Sequence, residues 1–233
     1  MSKLSLISTK NEILNALPEE DFARLSPHLE PVDLPSGRFL YQSLQPITHV
    51  YFPNYAVASI VANTSGGRST EVGIIGGEGA VGIDVLMSVD SSPNECMIQI
   101  PGDGLRLLTA VVREEFKLGG SVHVSLLRFI HKLMIQISQT TLCNRLHPIE
   151  ERLSRWLLMS HDRVDGDNIS LTQEFLATML GVNRPSVSIA AGILQTKGFI
   201  KYSRGHITII NRKGLEELTC ECYRIVKNEY NRN

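Results

Sequence analysis

Three spacings of apolar residues follow one another along the chain, and each predicts a different kind of structure. From Val32 to Val112, short apolar runs are broken by Gly, Pro, Asn and Asp. Runs of this length with regular turn signals are typical of strands in a small barrel or roll. Two short helices, over 11–17 and 18–25, are predicted before them. The predicted strands include Phe39–Tyr41, His49–Phe52, Ala58–Val61, Thr70–Ile75, Met97–Ile100 and Gly104–Leu108.

A single long helix is predicted next, over Ser121–Leu146, because its apolar residues recur every three or four positions. They form two stripes, whereas a helix on the surface of one domain needs only one. We therefore expect this helix to pack on the roll and on a second copy of itself, as in a coiled coil. A fully buried helix in a monomer is the alternative. The residues predicted for the dimer interface are Leu126, Leu127, Ile130, Leu133, Met134 and Ile137.

The third pattern, from Ser170 to Lys213, predicts a helix, a tight turn, a second helix and a hairpin. Gly181 suits the left-handed residue that such a turn requires. Asn183 or Arg184 caps the second helix, and Pro185 fits its first turn, where backbone amides have no partner in the helix. Val187, Ala190, Ala191 and Leu194 then recur at helical spacing and are predicted to face inward. This layout is typical of a winged helix-turn-helix.

Charge and side-chain size favour DNA as the ligand of this segment. The net charge is −1, yet the stretch from Arg184 to Lys213 contains Lys and Arg but no Asp or Glu. Small outward side chains let a helix lie deep in a major groove. The alternative is a structural helix pair whose charges are only solvated. The residues predicted to contact DNA are Thr172, Asn183, Arg184, Pro185, Ser186, Ser188, Ile189, Lys197, Lys201, Arg204 and His206.

Composition adds bounds on size and location. The 233 residues are 42% hydrophobic and 20% charged, which is ordinary for a globular protein of one large or two modest domains. No apolar run approaches the roughly 18 residues of a membrane span. The stretch over 1–13 is too polar for a signal peptide. We therefore expect a cytoplasmic protein.

The residues that most often carry chemistry are scattered. Of the 4 cysteines, Cys220 and Cys222 are close in sequence. If both lie on one helix, their side chains point about 200° apart, which is poor for a shared metal. The 7 histidines show no catalytic or metal-binding spacing. We expect no catalytic residue, no metal site and no cofactor, and we assign His206 to a phosphate contact.

Together these patterns predict an α+β protein in three parts. They are a β-roll with N-terminal helices over 1–118, a dimerisation helix over 119–146, and a winged helix-turn-helix domain over 147–233. Pro148 marks the linker after the long helix. Leu153, Trp156 and Leu157 begin the core helix of the last part.

Five residue runs carry a family resemblance: His49–Pro53, Gly66–Arg68, Gly76–Gly82, Leu171–Ala177 and Gly181–Ser188. With these runs, the order of roll, long helix and winged helix resembles the cyclic-AMP receptor/fumarate–nitrate regulator (Crp/Fnr) family of bacterial transcription factors. The resemblance implies a homodimer that reads a near-palindromic promoter site through the helix starting at Arg184. The implied partners are double-stranded DNA, a second copy of the chain and RNA polymerase, with no membrane.

One departure from the family pattern lies in the second helix of the turn. In the family this helix often begins with Arg-Glu and carries a second Arg one turn later. Here Arg184 is kept, but Pro185 and Ile189 occupy the other two positions. Arg184 can still pair bidentately with guanine. The target sequence is therefore expected to differ from the best-known family site.

The other departure lies in the roll. Cyclic-nucleotide-binding members follow a Gly-Glu pair with an Arg that neutralises the phosphate. Glu78 keeps its place here as the one candidate ligand residue, but Ser92–Gln99 contains no Arg, and Glu95 would repel a phosphate. We expect a sequence-specific transcriptional regulator that cyclic AMP does not gate. A regulator gated by a nucleotide or another small molecule, and an enzyme with a DNA-binding tail, are the alternatives.

Overall fold

The computed structural model describes residues 9–232, which form an α+β protein. Two short helices come first, α1 (Glu12–Asn15) and α2 (Glu19–Leu25), as the sequence predicts. Most of the stretch used in the signal-peptide argument, residues 1–8, lies outside the described residues. Across residues 9–232, no helix has both the length and the apolar character needed to cross a bilayer.

The roll consists of antiparallel strands in two sheets, with strand orders β1-β7-β3 and β2-β6-β4-β5. The predicted strands are all present, most of them longer by a residue or two. The additional strand β1 went unpredicted because Pro31 interrupts its pattern, and it lies at a sheet edge, where proline is tolerated. The strands are β1 (Glu30–Leu34), β2 (Phe39–Tyr41), β3 (His49–Pro53), β4 (Val57–Asn63), β5 (Ser69–Ile75), β6 (Glu95–Ile100) and β7 (Gly102–Leu108).

Two helices follow the roll, α3 (Thr109–Leu118) and the long α4 (Gly120–Leu146). Helix α3 was not predicted, because the β-branched residues at its start favour a continuation of the preceding strand. The start of α4 lies one residue before the predicted one. Its first apolar stripe is buried in the core of the roll and comprises Val122, Leu126, Phe129 and Leu133.

This burial corrects part of the predicted dimer interface. Leu126 and Leu133 were assigned to it, but they pack inside their own chain and are not available to a second copy. The second stripe stays at the surface, with Leu127 45% and Met134 62% exposed. The alternative of a helix fully buried within one chain is therefore wrong.

The C-terminal part contains five helices and a small sheet, counted within the described residues. The predicted core helix is α5, and the predicted helix-turn-helix is α6 and α7. Strand β8 was not predicted, because three residues are too few to show alternation. The elements are α5 (Ile149–His161), β8 (Asn168–Ser170), α6 (Gln173–Leu180), α7 (Arg184–Thr196), β9 (Ile200–Ser203), β10 (His206–Ile209), α8 (Arg212–Leu218) and α9 (Glu221–Tyr230).

The roll and the C-terminal part share a hydrophobic core. Val57, Val61 and Ile74 on β4 and β5 are buried against the same cluster as Trp156 of α5. The side-chain amide of Gln136, on α4, accepts a hydrogen bond from the Ile74 N–H at 2.6 Å and donates one to the Ile74 carbonyl at 3.0 Å. The three parts are therefore in direct contact, and their boundaries at 118 and 146 stay predictions.

The two neighbouring cysteines do not share a helix. Cys220 is the N-cap of α9, with an extended backbone at φ −70° and ψ 167°, and only Cys222 lies inside the helix. The angle of about 200° assumed helical geometry for both residues, so that argument is wrong. Cys143, from the end of α4, packs beside both of them.

Candidate nucleic-acid interface

The helix-turn-helix is set by side-chain caps and one glycine. The Thr172 hydroxyl accepts a hydrogen bond from the Phe175 N–H at 3.2 Å and so caps α6. Gly181 ends that helix in the left-handed conformation, with φ 61°. Asn183 caps α7, because its side-chain oxygen accepts from the Ser186 N–H at 2.9 Å. Of the two predicted caps, the structure selects Asn183.

Helix α7 divides into a buried face and an exposed face as predicted. Its buried residues are small or aliphatic and hold it on α5 and α6: Val187, Ala190, Ala191 and Leu194. Arg184, Pro185, Ser188 and Ile189 are exposed, and Ser186 is half-buried. At 64% exposure, Ile189 projects an apolar side chain from a surface whose other side chains are mostly short. A thymine methyl group is the base feature that such a side chain can contact.

The wing is the hairpin of β9 and β10, as the sequence predicts. Arg204 and Gly205 form its tip with φ values of 49° and 81°, which suits the tight two-residue turn of a hairpin. Lys201, Arg204 and His206 are exposed. The Ser170 hydroxyl lies 3.0 Å from His206 Nδ1, so β8 helps to position the histidine.

An open groove of about 360 Å³ runs between α6, α7 and the wing. It brings together four of the predicted DNA contacts, Thr172, Arg184, Ser188 and Arg204. Lys197 is exposed at the C-terminal end of α7. The N-terminal end of α7 lines a second groove, where Asn183 and Ser186 face Arg68 and Thr70 on the β4–β5 hairpin of the roll.

An acidic residue from α6 lies in the first groove. Glu174 forms an ion pair with Arg184, with 3.1 Å between Oε1 and Nε. Both side chains are more than 60% exposed. An ion pair in that setting contributes little stability, so Arg184 can exchange Glu174 for a base edge or a phosphate at small cost. Glu174 also lies in the first turn of α6, where a negative charge is favourable.

Two glutamines in the groove were not predicted as contacts. Gln173 accepts a hydrogen bond from the Ser188 hydroxyl at 2.7 Å, and Gln195 accepts one from the Tyr202 N–H at 2.8 Å. Both side chains line the groove. An amide side chain can pair bidentately with adenine. The available signal was the spacing of Gln195, eleven residues after Arg184 and therefore close to its face of the helix.

The candidate ligand residue of the roll is held in an ion pair. Glu78 Oε1 lies 2.8 Å from Nε of Arg163, which follows α5, and both side chains are largely buried. The Gly76 N–H donates to the same carboxylate. A cavity of about 260 Å³ adjoins this pair, lined among others by Glu12, Lys132 and Tyr230. Burial and the nearby Glu78 carboxylate raise the pKa of Glu12.

One family model matches the part of the chain that forms this surface. Residues 151–218, from α5 to α8, match the Crp-like helix-turn-helix domain. The chain carries a Crp-like helix-turn-helix domain. No curated protein sequence matches the chain. The match covers the two helices, the turn and the wing, and it ends before α9 begins.

Solved structures extend the likeness beyond the Crp-like domain. A transcriptional regulator of the Crp/Fnr family from Eubacterium rectale has a TM-score of 0.70 at 16% identity, over 89% of this chain and 97% of that one. FixK2 from Bradyrhizobium japonicum has a TM-score of 0.70 at 17% identity, over 82% and 98%. The c-di-GMP responsive regulator CLP of Xanthomonas campestris has 0.65 at 15%, over 82% and 99%. The fold is therefore that of Crp/Fnr regulators, and the predicted fold class is confirmed.

Proposed function

We propose that this protein is a sequence-specific DNA-binding regulator that acts as a homodimer on near-palindromic sites. The observation that carries the proposal is the single surface on which Arg184, Ser188 and Arg204 meet beside the exposed face of α7. A helix with short outward side chains and a cation at its start is suited to the major groove. The match to a Crp-like helix-turn-helix domain also supports DNA binding.

Within this surface, the roles divide by position. Arg184 and Ile189 lie on the exposed face of α7, so we assign them to base contacts. Lys197, Lys201, Arg204 and His206 lie at the end of α7 and on the wing, so we assign them to the phosphate backbone. Thr172, Asn183, Pro185, Ser186 and Ser188 complete the proposed contact surface.

The second stripe of α4 supports pairing of two chains. Leu127 and Met134 are exposed one heptad apart, and Ile130 and Ile137, also one heptad apart, are half-buried beside them. A seam with this repeat can pack on the same seam of a second copy. Two recognition helices could then read half-sites about 34 Å apart. We also propose RNA polymerase as a partner, as the resemblance to promoter-binding regulators implies.

We further propose that cyclic AMP does not gate the protein. Glu78, which would have to accept a ribose hydroxyl, is engaged by Arg163. Arg68, the nearest alternative cation in sequence, lines the groove that faces α7. A solved neighbour is named for its response to c-di-GMP, so that dinucleotide is a second ligand to be tested here.

Selection of bound fragments from random DNA by the purified protein tests the function and yields the operator. We expect enrichment of one inverted repeat. Occupancy of the tagged protein across the genome of its source then tests the same motif in the cell. Recovery of fragments with no common motif would contradict sequence-specific binding.

A further inference from the structure

Four side chains of the metal-binding type meet where the long helix ends. Cys143 and His147 are one helical turn apart at the C-terminal end of α4. Cys220 and Cys222 approach them from the start of α9. The four potential donor atoms all lie within 4.8 Å of one another. The three cysteines are buried, and the His147 side chain is only 15% exposed.

The spacing of these atoms suits one small ion. The Sγ atoms of Cys143 and Cys220 are 3.5 Å apart, and Cys222 Sγ is 3.6 Å from His147 Nδ1. Around a tetrahedral Zn²⁺ with Zn–S near 2.3 Å and Zn–N near 2.0–2.1 Å, two sulfurs are separated by about 3.8 Å and a sulfur and a nitrogen by about 3.6 Å. Small side-chain shifts would bring all four atoms to those distances.

The surroundings of His147 provide an independent indication. Its Nε2 lies 3.5 Å from a carboxylate oxygen of Glu221, while its Nδ1 faces the sulfurs. Metal-binding histidines commonly donate their second N–H to a carboxylate, which fixes the tautomer and leaves the other nitrogen free for the ion. Glu221 lies between the two cysteines in sequence, so the start of α9 provides both two potential ligands and the carboxylate that orients His147.

Buried positive charge near the cluster also favours a metal site with thiolate ligands. Arg152 and Arg155 on α5 are buried, and they donate hydrogen bonds to uncharged groups. The Nε atoms of both lack a hydrogen-bond partner. Arg155 lies close to the cluster, because it donates a hydrogen bond at 3.2 Å to the hydroxyl of Thr140, about one turn before Cys143 on α4. Three thiolates, a neutral histidine and a Zn²⁺ ion carry a net charge of −1, which would offset one of these two buried positive charges.

We propose that Cys143, His147, Cys220 and Cys222 bind one Zn²⁺ ion. Soft sulfur and imidazole ligands select zinc over the oxygen-preferring cations. Four protein donors leave no open position, so the site is structural rather than catalytic. The ion fastens the start of α9 to the end of α4, next to Pro148, where the Crp-like domain joins the long helix. This proposal stands whether or not the proposed function does.

A disulfide between Cys143 and Cys220 is the alternative interpretation of this cluster. It requires the two sulfurs to close to about 2.05 Å, and it would leave Cys222 and His147 facing each other with no bond to either. The convergence of all four donors, with Glu221 behind His147, favours an ion instead.

The test is the metal content of the full-length protein, purified without oxygen or chelator from zinc-supplemented cells. We expect about one zinc per chain in wild type. Cys96→Ala, which removes a buried cysteine of the roll, should retain it. Cys222→Ser and His147→Ala should lose most of it. Full retention of zinc by both variants, or wild type with no zinc but a Cys143–Cys220 disulfide in mass spectrometry, would overturn the proposal.

A second measurement does not depend on the variants folding. Co²⁺ added to zinc-free wild type should give the visible bands of a tetrahedral site and thiolate-to-cobalt charge transfer, and one equivalent of Zn²⁺ should abolish both. Cys96→Ala should behave in the same way. A cobalt spectrum without thiolate bands, or none at all, would show that the cysteines are not ligands.

Discussion

A substitution of Arg184 can distinguish a contact with a DNA base from a contact with the phosphate backbone. It starts the exposed face of α7, and its present partner, Glu174, is itself largely exposed. We expect Arg184→Ala to cost about 1–3 kcal/mol of binding free energy on the operator and to relax preference at one position of each half-site. Competition binding with single-base operator variants measures both effects.

Arg204→Ala is the matched control, because it removes a cation from the wing and not from α7. It should weaken binding to operator and random DNA alike and lower the slope of log K against log salt by about one. Equal losses on both kinds of DNA for Arg184→Ala would instead make Arg184 a phosphate contact.

Glu71 gives a second prediction at the residue scale. It is buried between the roll and α5, where its carboxyl group accepts hydrogen bonds from the Ser59 hydroxyl at 2.6 Å and from the Trp156 indole N–H at 2.9 Å. Burial raises its pKa from 4.5 to about 7, against the opposing effects of Ser59, Trp156, Arg155 and Arg163. The protonated form is therefore favoured on folding, and its contribution to stability is lost as pH rises from about 4.5 through about 7.

Glu71→Gln keeps the size of the protonated side chain and removes the titration. Near pH 5, the two proteins should have similar free energies of unfolding. Near pH 8, the variant should be the more stable of the two, because wild type then buries a carboxylate. Denaturant unfolding at both pH values measures the difference. A stability difference that does not change with pH would show that Glu71 is ionised throughout.

At the scale of elements, α4 carries two stripes with separate tasks. The first stripe is buried in the core of the roll, and the second stripe, with Leu127 and Met134, is exposed. Met134→Glu should leave the fold intact and shift the dimer to monomers, because pairing would bury an unpaired carboxylate at a cost of several kcal/mol. Sedimentation equilibrium at micromolar concentration measures this shift.

Arg128→Glu is the control on the same helix, at a position about 120° from Met134 around the axis. It should remain dimeric. Leu133→Glu should instead unfold the chain, because Leu133 lies in the core of its own roll. If the wild-type protein sediments as a monomer, the proposal that it acts as a homodimer is wrong.

At the scale of the whole molecule, the roll and the Crp-like domain are joined by a common core and by the Glu78–Arg163 ion pair. A cyclic phosphate entering the roll would find Glu78 engaged and no arginine in Ser92–Gln99. Burying it without a cation costs several kcal/mol, a large part of the roughly 8 kcal/mol of a micromolar site. We expect binding of cyclic AMP and cyclic GMP no tighter than millimolar.

Titration calorimetry with each nucleotide, and with c-di-GMP in parallel, measures this affinity. DNA binding with and without the nucleotides supplies the functional readout. Micromolar heat, or a tenfold gain in operator affinity with cyclic AMP, would show that a cation elsewhere replaces the missing arginine.

The sequence by itself determined those elements whose signals are local. Gly181, Asn183 and Pro185 predict the turn because each acts on its own backbone, and the spacing of Val187 to Leu194 predicts the buried face of α7. The roll was predicted from turn signals between short apolar runs. The two stripes of α4 were visible as well, since helical periodicity depends only on neighbours in sequence.

Only the tertiary structure decided which surfaces those elements meet. The helical spacing of apolar residues cannot distinguish a stripe buried in the roll of the same chain from a stripe buried against a second chain. Leu126 and Leu133 were therefore assigned to the wrong surface. Cys143 and Cys220 are 77 residues apart, and their contact depends on how α4 and α9 pack. The pairing of Glu78 with Arg163 likewise joins distant segments. Contacts of this kind arise from the packing of whole elements, which no local pattern encodes.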